Sequence, residues 1–310
     1  MKQQRIIYFG TPQFAADVLR SVHSNPDLRI ELVVTGVAKT RGRHSTVPTP
    51  VAVTANELGL PILETDTPKD SELLQRIQSI SPDLGVIVAW RILPEDVYAA
   101  PRMGTVNLHG SLLPKYRGAA PIQRAIWNGE TETGLTVFLL DKGVDTGNVL
   151  LSRKIPIEPT DTAGDLLKRF VPIGVELLRT AVTGLAEGNL TPQPQSSESA
   201  SPAPKIKPEE RWIDWSLPAT KIRQQIHALS PEPAAVTKYG DTRIILFRAH
   251  EIDNEDGGEP GRIIVEKNGL RIATGEGWLA IDNAAREGKK AMTGAEFARG
   301  IQQWNGAKFG

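Results

Sequence analysis

Over the first 140 residues, short β-rich apolar runs alternate with stretches of helical spacing, and this alternation restricts the fold more than any other feature. The runs fall at residues 5–9 (RIIYF), 31–37, 84–89, 105–108 and 134–140. Stretches with helix-compatible spacing at 14–22, 50–58 and 71–80 lie between several of them. Strands joined by helical crossovers build a mostly parallel sheet with helices on both faces, so the expected class is α/β, Rossmann-like. In such sheets ligands bind beyond the carboxyl ends of the strands. Each polar motif considered below begins where a predicted strand ends.

Residues 161–185 carry an apolar stripe of Leu166, Leu167, Phe170, Ile173, Val175, Leu177 and Leu178. This predicts a helix that closes a first domain over residues 1–190. The composition then changes. Residues 191–208 (TPQPQSSESASPAPKIKP) are rich in Pro, Ser and Gln, the pattern of a partly extended, semi-rigid linker. A helix near 219–229 follows, then β-like runs at 243–248, 261–265, 269–273 and 277–281 with glycine-bearing turns. These predict a smaller C-terminal β-barrel domain, OB-like, over residues 209–310. Trp212 and Trp215 at its start read as core anchors. A length of 310 residues fits two domains.

Several classes are excluded early. The chain contains no cysteine, which removes a disulfide scaffold, a thiolate zinc site and a cysteine nucleophile. The five histidines, at 23, 44, 109, 227 and 250, are scattered without ligand spacing, so no metal is expected. No apolar run is long enough for a membrane helix, and MKQQRIIYFG has no signal-peptide pattern. A cytoplasmic location is the expectation, with no membrane partner. Basic and acidic residues number 36 each, for a net charge of zero, so any contact with nucleic acid rests on local patches.

The chemistry concentrates in residues 106–122 (VNLHGSLLPKYRGAAPI). Asn107 and His109 stand two apart on a predicted strand, and alternate strand residues share a face. A second loop, 141–147 (DKGVDTG), has glycines suited to a sharp turn that brings Asp145 to the same sheet end. An amide N–H can hold a developing oxyanion. An imidazole exchanges protons near neutrality, and a carboxylate orients and charges it. This is an acyl-transfer set without a nucleophilic side chain, suited to direct attack by an amine on a bound acyl donor. Ser111 reads as a turn or cap residue whose backbone, more than its hydroxyl, serves binding.

The segments carrying Asn107-x-His109, Ser111-Leu112-Leu113-Pro114, RGAAPI at 117–122 and Asp145-Thr146-Gly147 resemble the folate-dependent formyltransferases. The likeness runs from Gly10-Thr11-Pro12 to the Ile213-Asp214-Trp215 segment. RGAAPIQ and the C-terminal domain point to the branch that acts on charged initiator tRNA. The resemblance implies Asn107, His109 and Asp145 as the catalytic triad. It implies 10-formyltetrahydrofolate as formyl donor, with Ser111, Leu112, Leu113 and Pro114 lining its site. It further implies methionyl initiator tRNA as acceptor, with Arg41, Arg43, Lys205 and Lys207 as contacts. A monomer is expected, since nothing reads as an exposed apolar interface. Two segments depart from the family pattern. WRILP at 90–94 stands where relatives carry VAYG-x-x-LP, at the border of the pterin pocket, and residues 38–44 (AKTRGRH) are a shortened basic insertion.

Other readings compete less well. Formyl transfer to an amino sugar nucleotide or to glycinamide ribonucleotide keeps the chemistry. The glycinamide enzymes, however, lack the C-terminal extension and carry proline where Gly110 stands, and the amino-sugar enzymes usually lack Asp-Thr-Gly. A nicotinamide dehydrogenase would need a G-x-G-x-x-G loop that Gly10-Thr11-Pro12 does not supply. A non-catalytic RNA-binding module would not require Asn107, His109 and Asp145 together.

Overall fold

The computed structural model describes residues 3–41, 45–252, 258–267 and 269–310. The chain forms two compact units. One comprises residues 1–121, 133–155 and 167–203; the other comprises 122–132, 156–166 and 204–310.

The elements up to residue 186 are, in order, β1 (Gln4–Gly10), α1 (Gln13–His23), β2 (Leu28–Thr35), β3 (Lys39–Arg41), β4 (Ser45–Val47), α2 (Pro50–Glu57), β5 (Ile62–Glu64), α3 (Ser71–Ile80), β6 (Leu84–Val88), α4 (Glu95–Tyr98), β7 (Thr105–His109), α5 (Pro121–Trp127), β8 (Glu132–Leu139), β9 (Val149–Pro156) and α6 (Ala163–Ala186). Seven strands form one sheet in the order β5-β2-β1-β6-β7-β8-β9. The pairs β2–β5, β1–β2, β1–β6 and β6–β7 are parallel, and β7–β8 is antiparallel. The mostly parallel α/β sheet expected from the strand–helix alternation is therefore present.

Strand β1 shows why the apolar runs are continuous: it is buried on both faces. Ile7 and Phe9 pack with Leu73 and Ile77 of α3 and Val97 of α4. From the other face the buried Tyr8 hydroxyl donates to Ala15 O of α1 at 2.6 Å. Burial and the nearby Asp17 carboxylate push the Tyr8 phenol above its ordinary pKa, keeping it neutral. Asp70 caps α3 by accepting from Glu72 N, and Thr49 caps α2 through Ala52 N. Such caps satisfy amide donors left free at a helix start.

The second unit contains α7 (Ala219–Leu229), β10 (Ala235–Tyr239), β11 (Thr242–Ile252), β12 (Ile263–Glu266), β13 (Gly269–Ala273), β14 (Trp278–Arg286), β15 (Met292–Thr293) and α8 (Gly294–Arg299). Its strands run antiparallel in the order β10-β11-β14-β13-β12, with β15 beside β14. The last residues span the gap between the sheet's two ends. Gly310 N donates to Lys238 O of β10, and Phe309 N donates to Gly261 O before β12. Ile222, Ile226, Leu246, Leu279, Phe297 and Trp215 fill the interior. Trp215 stacks on Phe309 and donates its indole N–H to Thr237 Oγ1 at 3.0 Å. Trp212 does not share that role. It is 40% exposed, with the Arg243 guanidinium over its ring, so only Trp215 is a core anchor. Among the described residues no helix is long and apolar enough to cross a membrane.

Candidate active site

Strand β7 sits inside the sheet between β6 and β8, and it delivers Asn107 and His109 to one face by its two-residue period. Asn107 is half-buried. Among the described residues its side-chain amide makes no hydrogen bond, which leaves both its donor and its acceptor for a ligand. His109 is buried at 5% exposure, and the edge of its ring meets Phe138. Its Nε2 lies 2.9 Å from Tyr116 O. A carbonyl oxygen only accepts, so the hydrogen resides on Nε2, and any further proton must enter at Nδ1. Nδ1 faces Asp145 Oδ2 at 3.6 Å.

Asp145 reaches this position from the loop between β8 and β9. It holds a left-handed backbone conformation, φ +53°, which non-glycine residues adopt at a steric cost. Its Oδ2 accepts a 2.7 Å hydrogen bond from Gly118 N. Gly118 itself has φ +126°, and a Cβ there would stand 2.6 Å from Ala203 O. Glycine at this place is therefore a requirement of chain packing.

Ser111 is fully buried and its hydroxyl donates to Lys115 O at 2.7 Å. That engagement closes a turn; it does not present a nucleophile. The backbone of the segment is pinned through Thr136, whose hydroxyl donates to Ser111 O and accepts from Leu113 N. Leu112, Leu113 and Pro114 are half-buried, and the Leu112 side chain lies over Gly134 of β8. Asn107, His109, Asp145 and the Ser-Leu-Leu-Pro segment thus all belong to the first unit.

The basic residues divide differently. Arg41 ends β3 in the β3–β4 hairpin, while its side chain, and Arg43 altogether, lie outside the described residues. Lys205 and Lys207 are exposed residues of the second unit. The Lys205 carbonyl accepts from Arg124, and Lys207 N donates to the Glu210 carboxylate. Hydrogen bonds from Arg124 and from Lys207 N hold the Glu210 carboxyl below its ordinary pKa. Among the described residues no His, Asp and Glu cluster could hold a metal ion.

Composition and motif missed one participant. Gln195, within the segment read as linker, accepts from Arg117 Nε and Nη2 and donates to the carbonyls of Asp145 and Gly147. Nothing in its neighbouring residues distinguishes it from a solvated glutamine.

The comparisons with known proteins agree along the whole chain. Residues 4–182 match the formyl transferase family model, and residues 205–302 match that of the formyl transferase C-terminal domain. The methionyl-tRNA formyltransferase of Porphyromonas gingivalis is 40% identical over 312 residues, covering 97% of this chain and 96% of the relative. That of Chlorobium luteolum is 38% identical over 304 residues, covering 96% and 97%. Among solved structures, methionyl-tRNA formyltransferase from Clostridium thermocellum superposes with a TM-score of 0.59 at 20% identity, covering 82% of this chain and 95% of its own, a likeness of fold. Two matched models and near end-to-end relatives leave one assignment: the chain belongs to the formyl transferase family, and within it to the methionyl-tRNA formyltransferases.

Proposed function

We propose that this enzyme transfers the formyl group of 10-formyltetrahydrofolate to the α-amino group of methionine on initiator tRNA, through Asn107, His109 and Asp145. The observation that carries the reading is the meeting of His109 Nδ1 and Asp145 Oδ2 at 3.6 Å, with Asn107 on the same strand face as His109 and its amide making no hydrogen bond among the described residues. Neither a cysteine nor Ser111 competes as nucleophile, because the chain lacks cysteine and the Ser111 hydroxyl is engaged by Lys115 O.

The free amine attacks the formyl carbon, giving a tetrahedral intermediate whose oxyanion accepts a hydrogen bond from the Asn107 amide. The amine's surplus proton passes to His109 Nδ1, and the Asp145 carboxylate stabilises the resulting imidazolium. Collapse breaks the bond to N10 of the folate, and N10 takes up that proton. One C–N bond forms and one breaks, with no change of oxidation state. Ser111, Leu112, Leu113 and Pro114 line the folate site. Arg41, at the end of β3 in the first unit, meets tRNA phosphates together with Arg43, and Lys205 and Lys207 do so from the start of the second. The domains are then a catalytic domain over 1–190, a linker over 191–208 and a tRNA-binding domain over 209–310. The enzyme acts as a monomer in the cytoplasm.

The test is formylation of methionine-charged initiator tRNA by the purified protein, followed by hydrolysis and quantification of formyl-methionine. Glycinamide ribonucleotide and an amino sugar nucleotide serve as rival acceptors. Formyl-methionine that disappears in His109→Ala and Asp145→Ala supports donor, acceptor and residues together. Formylation of a small amine alone would overturn the acceptor.

A further inference from the structure

We infer that Gln195 is a positioning residue for the reaction, holding the Asp145 loop in register with His109; the inference rests on the assignment of Asp145 above. The Gln195 side chain uses both ends of its amide. Oε1 accepts from Arg117 Nε at 3.1 Å and Nη2 at 2.8 Å. Nε2 donates to Asp145 O at 2.9 Å and Gly147 O at 2.7 Å. Only a primary amide on a two-carbon stem does both: glutamate cannot donate, a cation cannot accept, and asparagine is one methylene short.

The arrangement answers a physical need. Asp145 sits at φ +53°, a conformation that persists only where the surroundings over-determine it. Two restraints meet there. The carboxylate is held by Gly118 N, and the main chain is held by Gln195. The two are coupled, because residues 193–203 also frame the Gly118 side. Arg117 N donates to Ser201 O at 2.8 Å, Tyr116 N donates to Ser201 Oγ at 2.9 Å, and Ala203 N donates to Arg117 O. Tyr116 O in turn is the acceptor for His109 Nε2. Gln193 and Val149 exchange backbone hydrogen bonds of 2.8 Å just beyond the loop. One extended strap thus braces the loop bearing Asp145 and the turn that fixes the His109 tautomer, and Gln195 is where its side chain ties the two together. Among the described residues no hydrogen bond joins Gln195 to His109 or to the Asp145 carboxylate, so it acts through the Asp145 main chain.

The test uses the full chain, wild type and Gln195→Leu, with Gln195→Glu as a second variant that keeps the Arg117 contact and loses both donations. Long-range proton–nitrogen spectra of ¹⁵N-histidine protein report on His109 without any substrate. The expected result is displaced His109 ring-nitrogen resonances at fixed pH, with those of the other four histidines unmoved. In the formylation assay kcat falls about tenfold while KM for the folate stays within twofold, the signature of lost transition-state alignment. In an Asp145→Ala background the Gln195 substitution produces no further loss. Unmoved His109 resonances in both variants, or an equal further loss in the Asp145→Ala background, would overturn the inference. A wild-type protein that fails to formylate the tRNA would refute the proposed acceptor instead, and the histidine spectra would still decide the role of Gln195.

Discussion

Oδ2 of Asp145 stands 3.6 Å from Nδ1 of His109 while accepting a 2.7 Å hydrogen bond from Gly118 N. The carboxylate is thereby fixed at the one imidazole nitrogen still open to a proton, since Nε2 is committed to Tyr116 O. Proton transfer of this kind contributes about 10²–10⁴-fold to rate. Asp145→Asn, which keeps the shape and removes the charge, is expected to lower kcat by about 10²-fold. Steady-state formylation kinetics check it, and a rate within threefold of wild type would contradict the role given to the carboxylate.

Asn107 offers its amide from a half-buried strand position, without a hydrogen-bond partner among the described residues. Removing one oxyanion donor typically costs about 10²–10³-fold in kcat, and Asn107→Ala is expected to fall in that range. Folate affinity, read by titration calorimetry, is expected to stay near wild type. A loss confined to affinity would move Asn107 from the transition state to ground-state binding.

Gly118→Ala introduces a Cβ 2.6 Å from Ala203 O at φ +126°. Both effects oppose folding, so the variant is expected to lose about 1–3 kcal/mol of stability. It is also expected to lose activity, because Gly118 N carries the Asp145 contact. Urea titration and formylation kinetics measure the two losses separately. A variant as stable as wild type would show that the strap yields at Ala203.

His227 lies buried on α7, its Nε2 2.9 Å from Ala249 O and its Nδ1 without a partner among the described residues. Burial, then the nearby Arg223 charge, lower its pKa to about 4. Above the ordinary histidine pKa of about 6.5 both folded and unfolded states hold it neutral, so it contributes nothing to pH dependence there. As pH falls from about 6.5 the unfolded chain takes up a proton that the fold refuses, and stability declines until pH reaches about 4. The decline amounts to about 3 kcal/mol for this group. His227→Gln is expected to flatten the urea midpoint against pH between those limits, relative to wild type. Parallel curves would show that His227 is protonated without penalty.

The locally spaced parts of this protein were legible in its sequence. Strand periodicity put Asn107 and His109 on one face, and alternating apolar runs with helical spacing called for a mostly parallel sheet, whose parallel part is β5, β2, β1, β6 and β7. Those features depend on neighbours in the chain, where period and propensity act. Trp212 and Trp215 had the same look in sequence, yet one is 40% exposed and the other 5%. Which face of a short extended segment is covered depends on what packs over it, and four residues cannot declare that.

The same limit applies at the site. The sequence by itself determined the chemistry available: an amide, an imidazole and a carboxylate, with no cysteine to compete. Tertiary structure alone decided that Nε2 of His109 is spent on Tyr116 O, that Asp145 takes a left-handed backbone, and that Gln195 braces it from 50 residues away. The reason is physical. Composition reports only that residues 191–208 avoid helix and strand. A hydrogen bond is set by the positions of two atoms, and these are known only once the intervening chain has folded back.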